Sequence, residues 1–396
     1  MEWKGKRVDT GEPIQVAVHN GVIRSVEAAE DDGHLPWISP GWIDLQVNGF
    51  AGYDFNDETT TAQDFIGVTR AMWTKGVTSY LPTVITGSFE RICRAMAAYA
   101  ELCESADEVN FSIPGIHLEG PYLSDEDGPR GAHDRAHIRN PDWQEFMEWQ
   151  NASGGRIRLV TVAPEREGAI SFIQRLHEAG IIVSLGHTNA TAEQINQAIE
   201  AGAALSTHLG NGAHPILPRH PNYIWEQLGD DRLWATFIPD GHHLAPKVLK
   251  SMVRAKQSKA LFVSDCVKFG GLPPGRYTSE IGSEVILHAD GRLNTAANPA
   301  ILAGSAQSLD LGIASALQKA GIDLSEAIQA VTARPAEAMG FDRLGRLEPG
   351  AAGNLTLFHF PDPDGELAIV ETVVNGNIVY KYRQQNKPNG VKSDAS

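Results

Sequence analysis

The chain of 396 residues predicts a (β/α)₈ barrel with a small β-sandwich formed from both termini. Between about residues 41 and 345, short near-continuous apolar runs alternate with amphipathic helical segments. That is the pattern of parallel strands buried on both faces under crossover helices. At both ends the pattern changes to short strands around Asn–Gly turns, with no helices between them. A third observation concerns chemistry: Glu119, His187, His208 and Asp265 each follow an apolar run, where a barrel carries its site.

Taken in order, residues 13–18 and 22–26 flank His19-Asn20-Gly21 and read as a hairpin. Barrel strands are expected near 42–48, 77–84, 111–118, 157–162, 181–186, 204–208, 234–238 and 260–264. Helical periodicity is expected near 61–75, 88–105, 166–179, 191–202, 245–256, 305–320 and 324–333. Residues 354–358 and 369–374, then Asn375-Gly376-Asn377 and 378–380, return to strands and a turn. The expected domains are therefore 1–40 with 346–384 as the β-sandwich, 41–345 as the barrel, and 385–396 as a polar tail.

Composition bounds the function. The chain is 42% hydrophobic and 21% charged, ordinary for a globular protein, with a formal net charge of −16. That field argues against nucleic acid or an anionic membrane as a general partner, while leaving room for a local arginine that binds one phosphate. No apolar run approaches a membrane span, and Met1-Glu2-Trp3-Lys4-Gly5-Lys6 lacks the apolar core of a secretion signal. Cys93, Cys103 and Cys266 have no metal-binding spacing and cannot all pair, so reduced thiols and the cytoplasm are expected. No phosphate loop, dinucleotide fingerprint or Gly-x-Ser-x-Gly elbow is present.

Each chemical residue has a plain alternative. Glu119 before Gly120-Pro121 could cap a turn, a lone strand histidine is commonly a hydrogen-bonded structural group, and Asp265 could cap a helix. Together they read differently. One carboxylate and two imidazoles hold a hydrolytic divalent metal with a position open for water, and a second carboxylate can move protons. Glu119, His187 and His208 are thus the candidate ligands and Asp265 the candidate base. Asp240-Gly241-His242-His243 adds a carboxylate and two imidazoles, one of which could polarise a carbonyl. The acids Asp125-Glu126-Asp127 read as solvated helix surface, and Cys266 as packing.

These motifs resemble the amidohydrolase superfamily and, within it, the N-acetylglucosamine-6-phosphate deacetylases. The matching stretches are Pro40-Gly41-Trp42-Ile43-Asp44-Leu45-Gln46-Val47-Asn48-Gly49, His117-Leu118-Glu119-Gly120-Pro121-Tyr122, Arg130-Gly131-Ala132-His133, Gly186-His187-Thr188-Asn189, Thr207-His208-Leu209-Gly210-Asn211, Asp240-Gly241-His242-His243, Ser264-Asp265 and Leu302-Ala303-Gly304-Ser305. The resemblance implies one divalent ion per subunit, zinc, on Glu119, His187 and His208. It makes Asp265 the acid/base, with His243 and the ion stabilising the oxyanion. It puts the substrate against Ala132, His133, Asn211, Gly212, Arg219, His243, Leu302, Ala303 and Gly304, with Arg219 on a 6-phosphate. It also implies a homodimer acting on a small amino sugar. Where many relatives carry His-x-His for a second metal, this chain reads Gln46-Val47-Asn48, which favours a single ion.

Three stretches depart from the deacetylase pattern: Asn211-Gly212-Ala213, Arg219-His220-Pro221-Asn222, and the longer Thr295–Ala300 segment. All flank the sugar or phosphate pocket, so a different N-acetyl amino sugar is an alternative substrate. Hydrolysis of a cyclic amide or a heterocycle commonly uses a carboxylated lysine between two metals. The fourth strand, Arg156-Ile157-Arg158-Leu159-Val160-Thr161-Val162-Ala163, offers no lysine. A silent sugar-binding scaffold would not need the complete proton-transfer set.

Overall fold

A computed structural model describes residues 1–278, 284–299, 302–360 and 367–382. The expected polar tail, 385–396, lies outside the described residues, as do parts of the carboxyl-terminal β-segment. Eight strands form one sheet with sequential neighbours: β1 (Trp42–Val47), β2 (Val77–Ile85), β3 (Ile116–Glu119), β4 (Ile157–Val162), β5 (Ile182–Leu185), β6 (Ala203–Ser206), β7 (Trp234–Phe237) and β8 (Ala260–Phe262). Every neighbouring pair is parallel. The sheet closes just beyond β8, where Val47 bridges Cys266 in parallel and the Asp265 N–H donates to the Gln46 carbonyl at 2.9 Å. This is the (β/α)₈ barrel.

Burial explains the apolar strands. Trp42, Tyr80, Ile116, Val160 and Val183 pack outward among the helices, while Ile43, Leu45, Leu81, Leu159, Leu205 and Leu261 form an inner cluster. The short helix Ala333–Met339 joins that inner cluster through Ala336, Ala338 and Met339. The barrel is thus a packed core rather than a pore.

Both termini share a second, seven-stranded sheet. Its order is Asn377–Lys381, Ala368–Val374, Leu355–His359, Trp37–Pro40, Glu2–Arg7, Pro13–His19 and Val22–Ala28. The two Asn–Gly turns have left-handed φ, 50° and 72° at Asn20-Gly21 and 50° and 77° at Asn375-Gly376, as tight hairpins require. Trp3, Val16, Ile23, Ile38, Leu355 and Val373 form its own apolar cluster.

Some elements differ from the sequence expectation. β3 begins at Ile116 rather than near 111, because Asp107–Asn110 form a short helix and a turn follows. Helices Trp143–Ala152 and Tyr223–Gly229 arise where none was expected, each opened by a capping side chain, Asp142 and Asn222. Between β8 and helix Leu309–Ser315 stands an unexpected antiparallel sheet of Gly275–Thr278, Glu284–Leu287 and Leu293–Thr295. It packs Val285, Leu287 and Leu293 onto Phe269 and Ala306. Among the described residues no helix is long and apolar enough to cross a membrane.

Candidate active site

Glu119 is the last residue of β3, and His187, His208 and Asp265 lie just past the ends of β5, β6 and β8. The chain turns sharply at the last three, with φ of 50°, 29° and 49°. Left-handed backbone is uncommon outside glycine, and such conformations collect at functional sites. It gathers side chains from distant strands into one cluster. Glu119 Oε1 lies 3.1 Å from His208 Nε2 and 3.3 Å from His187 Nε2, and the two Nε2 atoms are 3.0 Å apart.

The surroundings set the tautomer of His187. Its Nδ1 donates to the Pro129 carbonyl at 2.8 Å, leaving the Nε2 lone pair toward Glu119 and His208. Its loop is tied to Glu165, which accepts from the Thr188 hydroxyl and from the Asn189 N–H, the latter at 2.7 Å. Burial pushes the Glu119 carboxyl up, but the neighbouring His187 and His208 rings outweigh it and hold it well below its ordinary value. Burial likewise pushes the His208 imidazolium down, and Glu119 overcomes this to raise it. A proton shared between these partners is what a bound cation replaces.

The donor set fits a divalent ion. Donors 2.0–2.1 Å from a tetrahedral zinc stand about 3.3 Å from one another. The three observed edges, 3.0, 3.1 and 3.3 Å, match one face of such a tetrahedron. His133 enters the same cluster: its Nε2 is 3.2 Å from His187 Nε2, and the donor atoms of Glu119, His133 and His187 all lie within 4.8 Å of one another. Burial and neighbouring His187 push the His133 ring down to about 3, so it is neutral and able to donate a lone pair. The sequence reading placed His133 only against substrate. His117, in the same motif as Glu119, is instead occupied structurally, with Nε2 2.8 Å from the Thr161 hydroxyl.

Desolvation pushes the carboxyl of half-buried Asp265 up to about 6, with Glu119 adding to it, even though His208, His243 and Asn48 pull the other way. Asn48 Nδ2 donates to its Oδ1 at 2.7 Å, while among the described residues Oδ2 has no hydrogen-bond partner. His243 is fixed by Asp240, whose Oδ2 accepts from Nδ1 at 2.7 Å and whose Oδ1 accepts the N–H groups of His242 and His243. His243 Nε2 is then the ring atom left for a ligand. The sequence singled out this Asp-Gly-His-His run, but the division of labour within it needed the structure.

The other expected substrate contacts are placed unevenly. Gly212, with φ of 56°, packs so close to His187 that a Cβ there would lie 2.6 Å from Nδ1. Asn211 anchors the turn by donating to the His208 carbonyl. The Leu302–Gly304 segment is tied to the added sheet through Ala303 N–H to the Leu293 carbonyl at 3.1 Å, and Ser305 pairs with Cys266 beside Asp265. Ala132 is exposed next to buried His133. Arg219 is exposed on the 210–222 loop and makes no ion pair among the described residues. Asp125, Glu126 and Asp127 are not helix surface: they lie in the loop before His133 and pair with Arg166, His214 and Arg130.

Residues 37–380 match the model of the amidohydrolase family. The chain belongs to that family, whose members are metal-dependent hydrolases, and its His/Glu cluster could hold the metal. Within the family its likeness is narrower. The N-acetylgalactosamine-6-phosphate deacetylase of Escherichia coli O157:H7 is 32% identical over 85% of this chain and 88% of the relative. The N-acetylglucosamine-6-phosphate deacetylase of Homo sapiens is 31% identical over 87% of this chain and 83% of the relative. The solved N-acetyl-D-glucosamine-6-phosphate deacetylase of Mycobacterium smegmatis superposes with a TM-score of 0.85 at 26% identity, covering 96% of this chain and 100% of that one.

Proposed function

We propose that the chain hydrolyses the acetamide of N-acetylglucosamine 6-phosphate, giving glucosamine 6-phosphate and acetate. The observation that carries this reading is the Glu119–His187–His208 donor triangle, coupled electrostatically to a half-buried carboxylate, Asp265, with one oxygen unoccupied by any described donor. The named relatives support the substrate class.

Glu119, His187 and His208 would hold the divalent ion, zinc in this reading, which when bound supplies the Lewis acidity that activates water and polarises the acetamide carbonyl. Asp265 Oδ2 accepts the proton of the attacking water as the new C–O bond forms. His243, braced by Asp240 through Nδ1, turns Nε2 toward the carbonyl oxygen as negative charge develops there. Asp265 then returns its proton to the sugar nitrogen, the C–N bond breaks, and acetate and the amine leave. That last transfer is essential, because an unprotonated amide anion is a very poor leaving group. Ala132, His133, Asn211, Gly212 and the Leu302–Gly304 backbone would hold the sugar.

Purified protein should contain one zinc per chain by elemental analysis. Two metals per chain, with activity requiring both, would overturn the single-ion reading. Acetate release should be measured on the 6-phosphates of both N-acetylglucosamine and N-acetylgalactosamine, since the relatives include enzymes named for each.

Arg219 would bind the 6-phosphate through its guanidinium fork, which makes no ion pair among the described residues. Arg219→Ala should raise KM for N-acetylglucosamine 6-phosphate about 10–100-fold, the equivalent of a charged hydrogen bond, and barely change that for N-acetylglucosamine. Equal hydrolysis of both sugars by the wild type would remove the phosphate from the reading. A cytoplasmic homodimer completes it. The three cysteines are unpaired, and Ile216 and Trp225, near Arg219 in sequence, leave apolar surface that a second copy would cover.

A further inference from the structure

We infer that Gln46 and Asn48 are a matched pair of positioning residues, each giving its amide N–H to one of the two site carboxylates. Gln46 Nε2 donates to Glu119 Oε1 at 3.0 Å, and Asn48 Nδ2 donates to Asp265 Oδ1 at 2.7 Å. The inference rests on the roles proposed above for Glu119 and Asp265, and it assigns these amides work of their own beyond failing to bind a second metal.

Their placement is built into the fold. Ile43 and Leu45 face the inner cluster, so strict alternation would turn Gln46 away from it. A register shift between Asp44 and Val47 breaks the alternation, sending Val47 into the outer core and Gln46 to Glu119. Bulges of this kind re-aim side chains beside active sites. The backbone is then pinned against the residues following β8. The Gln46 carbonyl accepts from the Asp265 N–H at 2.9 Å, and the Asn48 N–H donates to the Cys266 carbonyl at 2.8 Å. Asp44 extends the seam by accepting from the Gln46 and Ser264 N–H groups. Gln46 is 1% and Asn48 8% exposed. Asn48 Oδ1 has no donor among the described residues, so Asp265 is the side-chain partner that orients this amide.

A carboxamide suits both tasks. It donates without adding a positive charge that would compete with the ion, and it fixes one lone pair of each carboxylate in direction. On Glu119 this orients a metal ligand, and on Asp265 it leaves Oδ2 for the proton. The two amides should therefore fail differently. Gln46→Leu should raise the zinc dissociation constant, read by competition with a chromogenic chelator, about 10–100-fold, the usual effect of losing a group that orients a ligand. Asn48→Ala should leave that constant within about threefold while lowering kcat about 10–100-fold at near-constant KM, the signature of an interaction used in turnover rather than in binding. Asn48→Ser, whose hydroxyl can still donate, should recover part of the loss. In an Asp265→Asn background, Asn48→Ala should cost nothing further, because it acts through Asp265. Independent, multiplying losses in that cycle, or an unchanged zinc constant in Gln46→Leu, would overturn the assignment. So would two variants that shift both quantities alike. A wild type that releases no acetate overturns the functional reading alone, since the zinc titrations of the two variants still decide whether the amides divide as described.

Discussion

Asp265→Asn should keep the fold and the bound metal and lose about 10²–10⁴-fold in kcat, the range that general acid–base catalysis contributes. An amide of nearly the same shape cannot accept the proton of the attacking water or return it to the leaving nitrogen. Desolvation holds this half-buried carboxylate up at about 6. A cation beside Glu119 pulls a neighbouring carboxyl down, so the loaded enzyme should keep its base ionised at pH 6 and above. The acid limb of kcat should accordingly fall at or below pH 6, and Asp265→Asn should flatten it. Acetate release near the wild-type rate would place the base elsewhere, with Asp240 the first alternative.

His187→Ala should abolish both metal binding and turnover. His187 is the hub of the cluster, with Glu119 Oε1 and the Nε2 atoms of His133 and His208 all within 3.0–3.3 Å of its own Nε2. Removing it deletes a ligand outright, so zinc affinity should fall by more than the roughly 10–100-fold that follows loss of an outer partner. The metal-free melting temperature is the control, because the ring also packs against Gly212. A variant that keeps one zinc per chain with little loss of affinity would mean that His133 takes over as ligand. His133→Ala on top of it should then release the ion.

Much of this protein was legible in its sequence. Eight apolar runs with intervening helices gave the barrel, because strands buried on both faces cannot look like anything else over so long a stretch. Asn20-Gly21 and Asn375-Gly376 announced hairpins at both ends, since left-handed turns select those residues. Glu119, His187, His208 and Asp265 stood out because carboxylates and imidazoles at strand ends are conspicuous against apolar neighbours.

What escaped was decided by contacts between distant segments. The three-stranded sheet before helix Leu309–Ser315 is short and polar, and its apolar residues acquire meaning only against Phe269 and Ala306. Asp240 and His243 are neighbours in sequence, yet whether the aspartate binds metal or braces the ring depends on where the turn carries it. Gln46 and Asn48 read in the sequence as missing ligands. They become donors only in the closed barrel, which brings Gln46 to Glu119 across 73 residues and Asn48 to Asp265 across 217. The sequence by itself determined which chemical groups stand at the mouth of which strands, because side-chain type and strand periodicity are local properties. The tertiary structure alone decided which of those groups meet, because ring closure and the shift in the first strand set their distances and directions, and neither is encoded within any one segment.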